Sequence, residues 1–226
     1  LASLLWSKLY EIADYINGRG VFTDVKKASF NAVWDKLVQS KSTRFIEFAT
    51  SSQYRASNKE TIFSTITRPD QQLLVLAKVL QKYLVEQYKT DFKVRIIGIE
   101  NDKPTQWLAA EPEQPETQPN QLSESDSTIS HCLKKKKLVI IESISDELKK
   151  PKRHYMATHE DDKDDSGSLI CIPCPCQVKK TITSIVVIWC KKDSFFTIRE
   201  RDRIQSIAEQ IRIRVQLEQC LAILRA

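Results

Sequence analysis

Five short runs of β-forming residues, bracketed by two helical patterns, constrain the fold of this chain most strongly. The runs cover residues 94–100, 105–110, 138–141, 169–174 and 181–190. Runs of this length, separated by residues that favour turns, are typical of strands. We therefore expect an α+β fold, in which the five runs pair as neighbours in one antiparallel layer and helices pack on it.

The first helical pattern begins at Pro69, a residue type suited to the first turn of a helix. Apolar side chains then repeat every three or four residues, at Leu73, Ala77, Leu80, Leu84 and Tyr88. This spacing places them on one face and predicts an amphipathic helix that ends near residue 89. A shorter helix is predicted over residues 128–133, before the third strand.

The second helical pattern follows Thr197, which with Glu200 has the spacing of a capping box and is predicted to open the final helix. This helix carries two apolar stripes, Ile204, Ala208, Ile211 and Val215 in one and Ile213, Leu217, Cys220 and Leu224 in the other. At ~100° per residue, the stripes lie on opposite faces. One stripe can cover the sheet, and the other needs either an N-terminal helix or the same helix of another subunit.

Residues 1–67 are predicted to form a helical N-terminal extension, and residues 68–226 the main domain. The helical prediction rests on apolar residues at helical spacing, at Leu5, Leu9, Ile12 and Ile16. The sequence leaves open whether the extension is a separate domain or part of the same packed unit. Because the chain begins with Leu and ends within a helical pattern, we expect a piece of a longer protein.

Charge and composition favour some classes of partner over others. The net charge is +6, but the basic runs, such as residues 134–137, do not alternate with aromatic residues. Nucleic-acid binding is therefore not expected, and a solvated face is the simpler interpretation of these runs. No apolar run approaches the ~18 residues that cross a bilayer, so membrane insertion is not expected. The six cysteines are expected to be reduced thiols in the cytoplasm or an organelle stroma.

Two polar segments separate the predicted strands. Residues 111–126 contain three prolines among Glu, Gln and Ser and are predicted to form a flexible loop. Residues 145–167 are mostly polar. His154 and His159, followed by acidic residues 160–165, could bind a divalent ion, although an exposed loop is the preferred interpretation.

Several segments of the C-terminal half resemble the GAF family of sensory modules. Residues 168–173, Ser-Leu-Ile-Cys-Ile-Pro, are similar to that family's segment of a small residue, an apolar strand and a proline. Residues 182–189 resemble its central strand, and Phe196-Thr197 followed by Arg199-Glu200 resembles the start of its closing helix. The resemblance covers about residues 70–226.

This resemblance implies a regulatory sensor domain of a sensor kinase or transcription regulator. Such a domain binds a small ligand between sheet and loops and passes a signal through terminal helices, which here are expected to form a homodimer. The cofactor is unknown. The positions we expect to line the pocket are Trp107, Tyr155, Met156, Cys171 and Trp189. The alternatives are a ligand-free module for dimerisation or partner binding, and a cysteine-based redox sensor.

The redox alternative depends on Cys171, Cys174 and Cys176, which could hold zinc or an iron–sulfur cluster. In a strand, side chains alternate, so Cys171 should face away from the other two. The neighbouring prolines allow a bend that would gather all three. Core packing is the preferred interpretation.

Other members of the family bind bilins or cyclic nucleotides, and this chain departs from both patterns. Bilin-binding members usually have a cysteine followed by a histidine, whereas this chain has His131 followed by Cys132. Cyclic-nucleotide-binding members have an Asn-Lys pair, whereas this chain has Cys190-Lys191. An enzyme that reduces methionine sulfoxide also has this fold, but its cysteine pattern is not matched. Because hydrolase, Walker and metalloprotease motifs are missing too, we expect no catalytic activity.

Overall fold

The computed structural model describes residues 67–124, 126–156, 166–176 and 181–225, together with residues 35, 38–39, 41–44, 46–47 and 50–51. The helices are α1 (Pro69–Tyr88), α2 (Thr128–Lys135), α3 (Ile144–Leu148) and α4 (Arg201–Arg225). The strands are β1 (Phe92–Glu100), β2 (Lys103–Glu111), β3 (Val139–Ile141), β4 (Ser168–Cys176) and β5 (Thr181–Cys190). Short 3₁₀ helices cover Pro119–Ser123 and Ile198–Glu200.

The five strands form one antiparallel sheet in the order β2-β1-β5-β4-β3. This confirms the predicted α+β fold with a single antiparallel layer. The central strand, β5, pairs with β1 along seven residues and has the bounds predicted from sequence. Among the described residues, no helix has the length and apolarity required to cross a bilayer.

Strand alternation divides the side chains of the sheet between two cores. Phe92, Val94 and Ile96 of β1 face α1 and α4, where they join Leu80 and Ile211 in the larger core. This core also receives the first predicted stripe of α4, which is buried from Ile204 to Val215. Burial of these apolar side chains is the main term that holds the helices on this face.

The opposite face of the sheet packs against α2 and α3. Ile97, Leu169 and Ile185 lie in this second core beside Ile129 of α2 and Ile144 of α3. Ile144 is fully buried, and the rest of α3 overlaps residues 145–167, a segment described from sequence as mostly polar with no helix predicted in it. The Ser143 hydroxyl accepts the Asp146 N–H at 3.3 Å and so caps this five-residue helix.

The start of α4 differs from the predicted capping box. The Thr197 side chain makes no capping hydrogen bond, and the α-helix begins at Arg201 after a 3₁₀ turn. The Ile198 N–H instead donates to Glu142 Oε1 at 2.5 Å. A carboxylate 56 residues away therefore satisfies one of the free amides at the start of this helix.

Two members of the second predicted stripe of α4 are exposed, and Cys220 is half-buried. Ile213 is 57% exposed and Leu217 is 45% exposed. Beside them, the fully buried Glu218 pairs with Lys41 Nζ at 2.6 Å, so part of the N-terminal segment contacts α4. The helical pattern predicted at residues 5–16 lies outside the described residues, and the division at residue 67 stays a prediction.

Candidate functional site

A cavity of about 80 Å³ lies on the face of the sheet opposite α1 and α4. Its floor consists of two rows of side chains that cross β1, β5 and β4. The register pairs Lys93 with Trp189 and Trp189 with Leu169 in the first row, and Arg95 with Val187 and Val187 with Cys171 in the second. Because strand residues alternate, every member of these rows points to the same face.

Trp107 of β2 forms one wall of the cavity. A register shift between Ile96 and Ile97 places Trp107 opposite Ile97. The Trp107 indole N–H donates to the Thr117 carbonyl at 3.1 Å, which holds the segment after β2 against the sheet. Thr117 is only 8% exposed, so this part of the predicted flexible loop packs on the domain.

The opposite wall consists of Tyr155 and Met156. Two hydrogen bonds position the residue before them: Thr128 Oγ1–H donates to the His154 carbonyl at 2.7 Å, and the His154 N–H donates to Glu147 Oε1 at 2.8 Å. The His154 ring also stacks on His131, with ring centroids 3.7 Å apart. α2 and α3 together therefore hold this wall in place.

Two cations line the cavity against the indole rings. Lys93 Nζ lies 5.1 Å from the centroid of Trp189, and the Arg95 guanidinium lies 5.8 Å from that of Trp107. These distances permit cation–π attraction, which holds each charge beside an apolar surface. Among the described residues that line the cavity, none is Asp or Glu.

The structure brings together all five residues that the sequence analysis proposed for a pocket. Trp107, Tyr155, Met156, Cys171 and Trp189 line this one cavity. Their role in binding a ligand stays a prediction. The sequence analysis missed Lys93 and Arg95, although two basic residues at alternate positions of an apolar strand are a readable signal of a charged patch on one face.

The three clustered cysteines do not form a common site. Cys171 lies in the core beneath the cavity, Cys174 lies in the core beneath α1 and α4, and Cys176 contacts Cys220. Burial raises the pKa of the Cys171 thiol well above its ordinary value and that of Cys174 to about 12. Both are protonated at neutral pH, whereas metal ligation and redox chemistry use thiolates. Across the parts of the chain that the structure describes, no three His, Cys, Asp or Glu side chains are grouped to hold a metal.

Comparisons with known proteins find similarity only among solved structures. No family model and no curated protein matches the chain. One similar structure is the GAF domain of an Acinetobacter phosphoenolpyruvate-protein phosphotransferase, 14% identical, covering 74% of this chain and 98% of that one, with a TM-score of 0.44. Another is the A. aeolicus nlh2 GAF domain in an inactive state, 12% identical, covering 73% and 94%, with a TM-score of 0.48. The described domain has a GAF-like fold.

Enzymes also occur among the structures similar to this GAF-like domain. The type II free methionine-R-sulfoxide reductase from Thermoplasma acidophilum is 20% identical, covers 65% of this chain and 94% of its own, and has a TM-score of 0.48. The prediction that the chain has no catalytic activity is therefore wrong. It was drawn from the missing motifs of other enzyme classes and from the unmatched cysteine pattern of the methionine-sulfoxide-reducing enzyme, whereas enzymes of that kind are among the similar structures.

Proposed function

We propose that this chain is a regulatory sensor domain of a signal-transduction protein, of the sensor-kinase or transcription-regulator type. Its ligand is a small molecule bound in the cavity between the sheet, Trp107 and Tyr155. The observation that supports this proposal is the cavity itself. Its lining, on one face of the sheet, combines two indole rings and two cations with apolar side chains. Apolar walls with a few polar groups are typical of small-molecule sites.

The sheet offers a short route from the cavity to α4. Cys171 lines the cavity, and Ile172, the next residue of β4, packs in the core beneath α4. In β5, likewise, Val187 lines the cavity and its neighbour Val186 packs in the core on the other face of the sheet. A ligand that shifts the cavity floor therefore shifts the strand backbone that supports α4, and packed cores respond to such shifts by moving between discrete arrangements.

The exposed side of α4 is the proposed output surface. Ile213 and Leu217 lie there, and apolar side chains of this size on an exposed helix face favour association. We propose that α4 pairs with its counterpart in a homodimer, in the cytoplasm or an organelle stroma. Sedimentation of the wild type and of an Ile213→Glu, Leu217→Glu double variant tests this: a dimer should become a monomer, and identical masses contradict the homodimer.

Native mass spectrometry of the gently purified chain tests ligand binding. Val187 lies in the second row of the cavity floor, so Val187→Phe should fill the cavity and exclude the ligand. The matched control is Leu74→Phe on α1, a side chain 45% exposed and outside the cavity lining. We expect a bound small molecule on the wild type and the control but not on Val187→Phe. The same bound mass on all three proteins, or none on any, contradicts the proposal.

A further inference from the structure

A second cavity, of about 240 Å³, lies on the other side of the sheet between α4 and the turn that precedes β3. β3 is only three residues long, so the edge of β4 beyond Cys171 has no strand beside it. Ile172 and Pro173 form the floor there, and α4 forms one wall. The cavity shares no lining residue with the one proposed for the sensor ligand.

Basic side chains from two separate segments converge on this cavity. Lys136 and Lys137 come from the turn between α2 and β3, and Arg201 and Arg212 come from α4. Glu209 is the one acidic residue among the described residues of the lining, and it is paired with Arg212. The lining therefore carries an excess of positive charge, and these like charges repel one another across the cavity.

Arg212 supplies a second observation that points to a ligand. Its Nε atom is buried and has no hydrogen-bond partner among the described residues, whereas the side chain as a whole is 34% exposed beside the cavity. A buried donor without an acceptor is destabilising. An anion with several acceptor oxygens would satisfy this donor and offset the repulsion among the four cations at the same time.

We infer that this cavity binds the phosphate group of a small soluble molecule, with Arg212, Arg201 and Lys137 as its ligands. A phosphate offers several charged acceptor oxygens and forms strong charge-assisted bonds with guanidinium groups. The volume accommodates a phosphate or diphosphate group, with the rest of the molecule extending into solvent.

Isothermal titration with pyrophosphate tests the inference, with sodium chloride at the same ionic strength as the blank. We expect saturable binding to the whole chain that Lys137→Gln and Arg212→Gln each weaken at least fivefold. Lys78→Gln, on α1 and outside the cavity lining, removes the same charge and should leave the affinity unchanged. Lys137 is exposed in a turn, so its variant tests the site even if Arg212→Gln fails to fold.

Glu209→Gln distinguishes a defined site from general attraction to a basic protein. Removing this carboxylate releases Arg212 from its partner, so pyrophosphate should bind the variant more tightly, by about threefold. A comparison of ATP with adenosine should show that the phosphates and not the nucleoside are bound. A further experiment measures binding to vesicles that contain a phosphoinositide. If the protein binds these vesicles but not pyrophosphate, the phosphate belongs to a lipid and not to a soluble molecule, and the inference is wrong. The proposed site is also excluded if Lys78→Gln and Lys137→Gln lose the same affinity for pyrophosphate, or if no binding is measured beyond the sodium chloride blank.

Discussion

The Trp107 indole joins the cavity wall to the sheet through one hydrogen bond to the Thr117 carbonyl. Trp107→Phe keeps an aromatic ring in the wall but removes this donor, so we expect a loss of about 0.5–1.5 kcal/mol in the free energy of unfolding. Urea denaturation measures the loss. Amide hydrogen exchange should become faster around residue 117, and unchanged exchange there would show that the hydrogen bond does not hold the wall.

Gly167, immediately before β4, has a φ of +108°, a conformation that side-chain-bearing residues rarely adopt. A Cβ at this position would stand 2.3 Å from the Cys190 carbonyl oxygen. Because that atom belongs to the backbone of β5 and cannot move aside easily, Gly167→Ala should lower stability by more than about 2 kcal/mol. Thermal or urea unfolding measures the change.

Gly98 in β1 is the matched control for this substitution. A Cβ there would meet the Gln106 Cγ atom at 3.1 Å, the flexible part of a side chain. Gly98→Ala should therefore change stability by less than about 1 kcal/mol. If both alanine variants unfold at the same denaturant concentration, the backbone conformation of Gly167 is not what makes Gly167→Ala destabilising.

Single residues of the cavity were predictable because they are aromatic or lie in loops beside the expected strands, as Trp107 and Tyr155 do. The stack of His131 on His154 was not, because 23 positions separate the two residues and only the packing of α2 and α3 brings them together. Lys93 and Arg95 were readable from strand alternation, but the predicted strand began at residue 94 and so left Lys93 outside it.

The contact between α4 and the N-terminal segment depends on Lys41 and Glu218. Glu218 is 1% exposed, and Arg214 lies 3.9 Å from the same carboxylate oxygen. In Lys41→Met this buried carboxylate keeps only the more distant arginine as a partner. We therefore expect the free energy of unfolding to fall by roughly 1–3 kcal/mol, less than the ~3–5 kcal/mol lost when a buried ion pair is fully broken. Chemical denaturation checks this value.

An exposed pair on α1 gives the control for the Lys41 variant. Lys82 and Glu86 are 3.8 Å apart, and their side chains are 72% and 64% exposed. Lys82→Met should change stability by no more than about 0.5 kcal/mol. A Lys41 variant as stable as the Lys82 variant would show that the Lys41–Glu218 ion pair does not stabilise α4.

The order of the elements was predictable because each long element carries its own periodic pattern. α1 repeats apolar residues at helical spacing, and β5 is a continuous run bounded by charged residues. α3 was missed because five residues are too few to establish a helical period. The start of α4 was misassigned because its amide partner, Glu142, is distant in the sequence.

The whole molecule should lose stability as the pH falls, through the stacked histidines. Burial and the neighbouring His154 lower the pKa of His131, with Lys135 and Lys134 acting in the same direction and Glu147 opposing them. The unfolded chain, with an ordinary histidine pKa of about 6.5, therefore binds protons more readily than the folded one. Stability should be fully present at about pH 7.5 and decline below about pH 6.5.

Urea denaturation of the wild type and His131→Gln at about pH 7.5 and pH 5.5 measures this effect. The wild type should lose more stability between the two values than the variant, because the variant lacks the proton site whose pKa is lowered. Tyr155 follows His154 directly, so protonation should also loosen the cavity wall and weaken ligand uptake at the lower pH. Equal losses in the two proteins would exclude His131 as the origin.

The alternation of side chains in β4 and β5 limits how this protein can evolve. Neighbouring residues serve opposite faces, so deleting one residue within either strand would exchange the groups that line the cavity with those that support α4. Ligand preference can therefore diverge by replacing individual side chains in these strands, whereas changes of length are confined to the connecting loops.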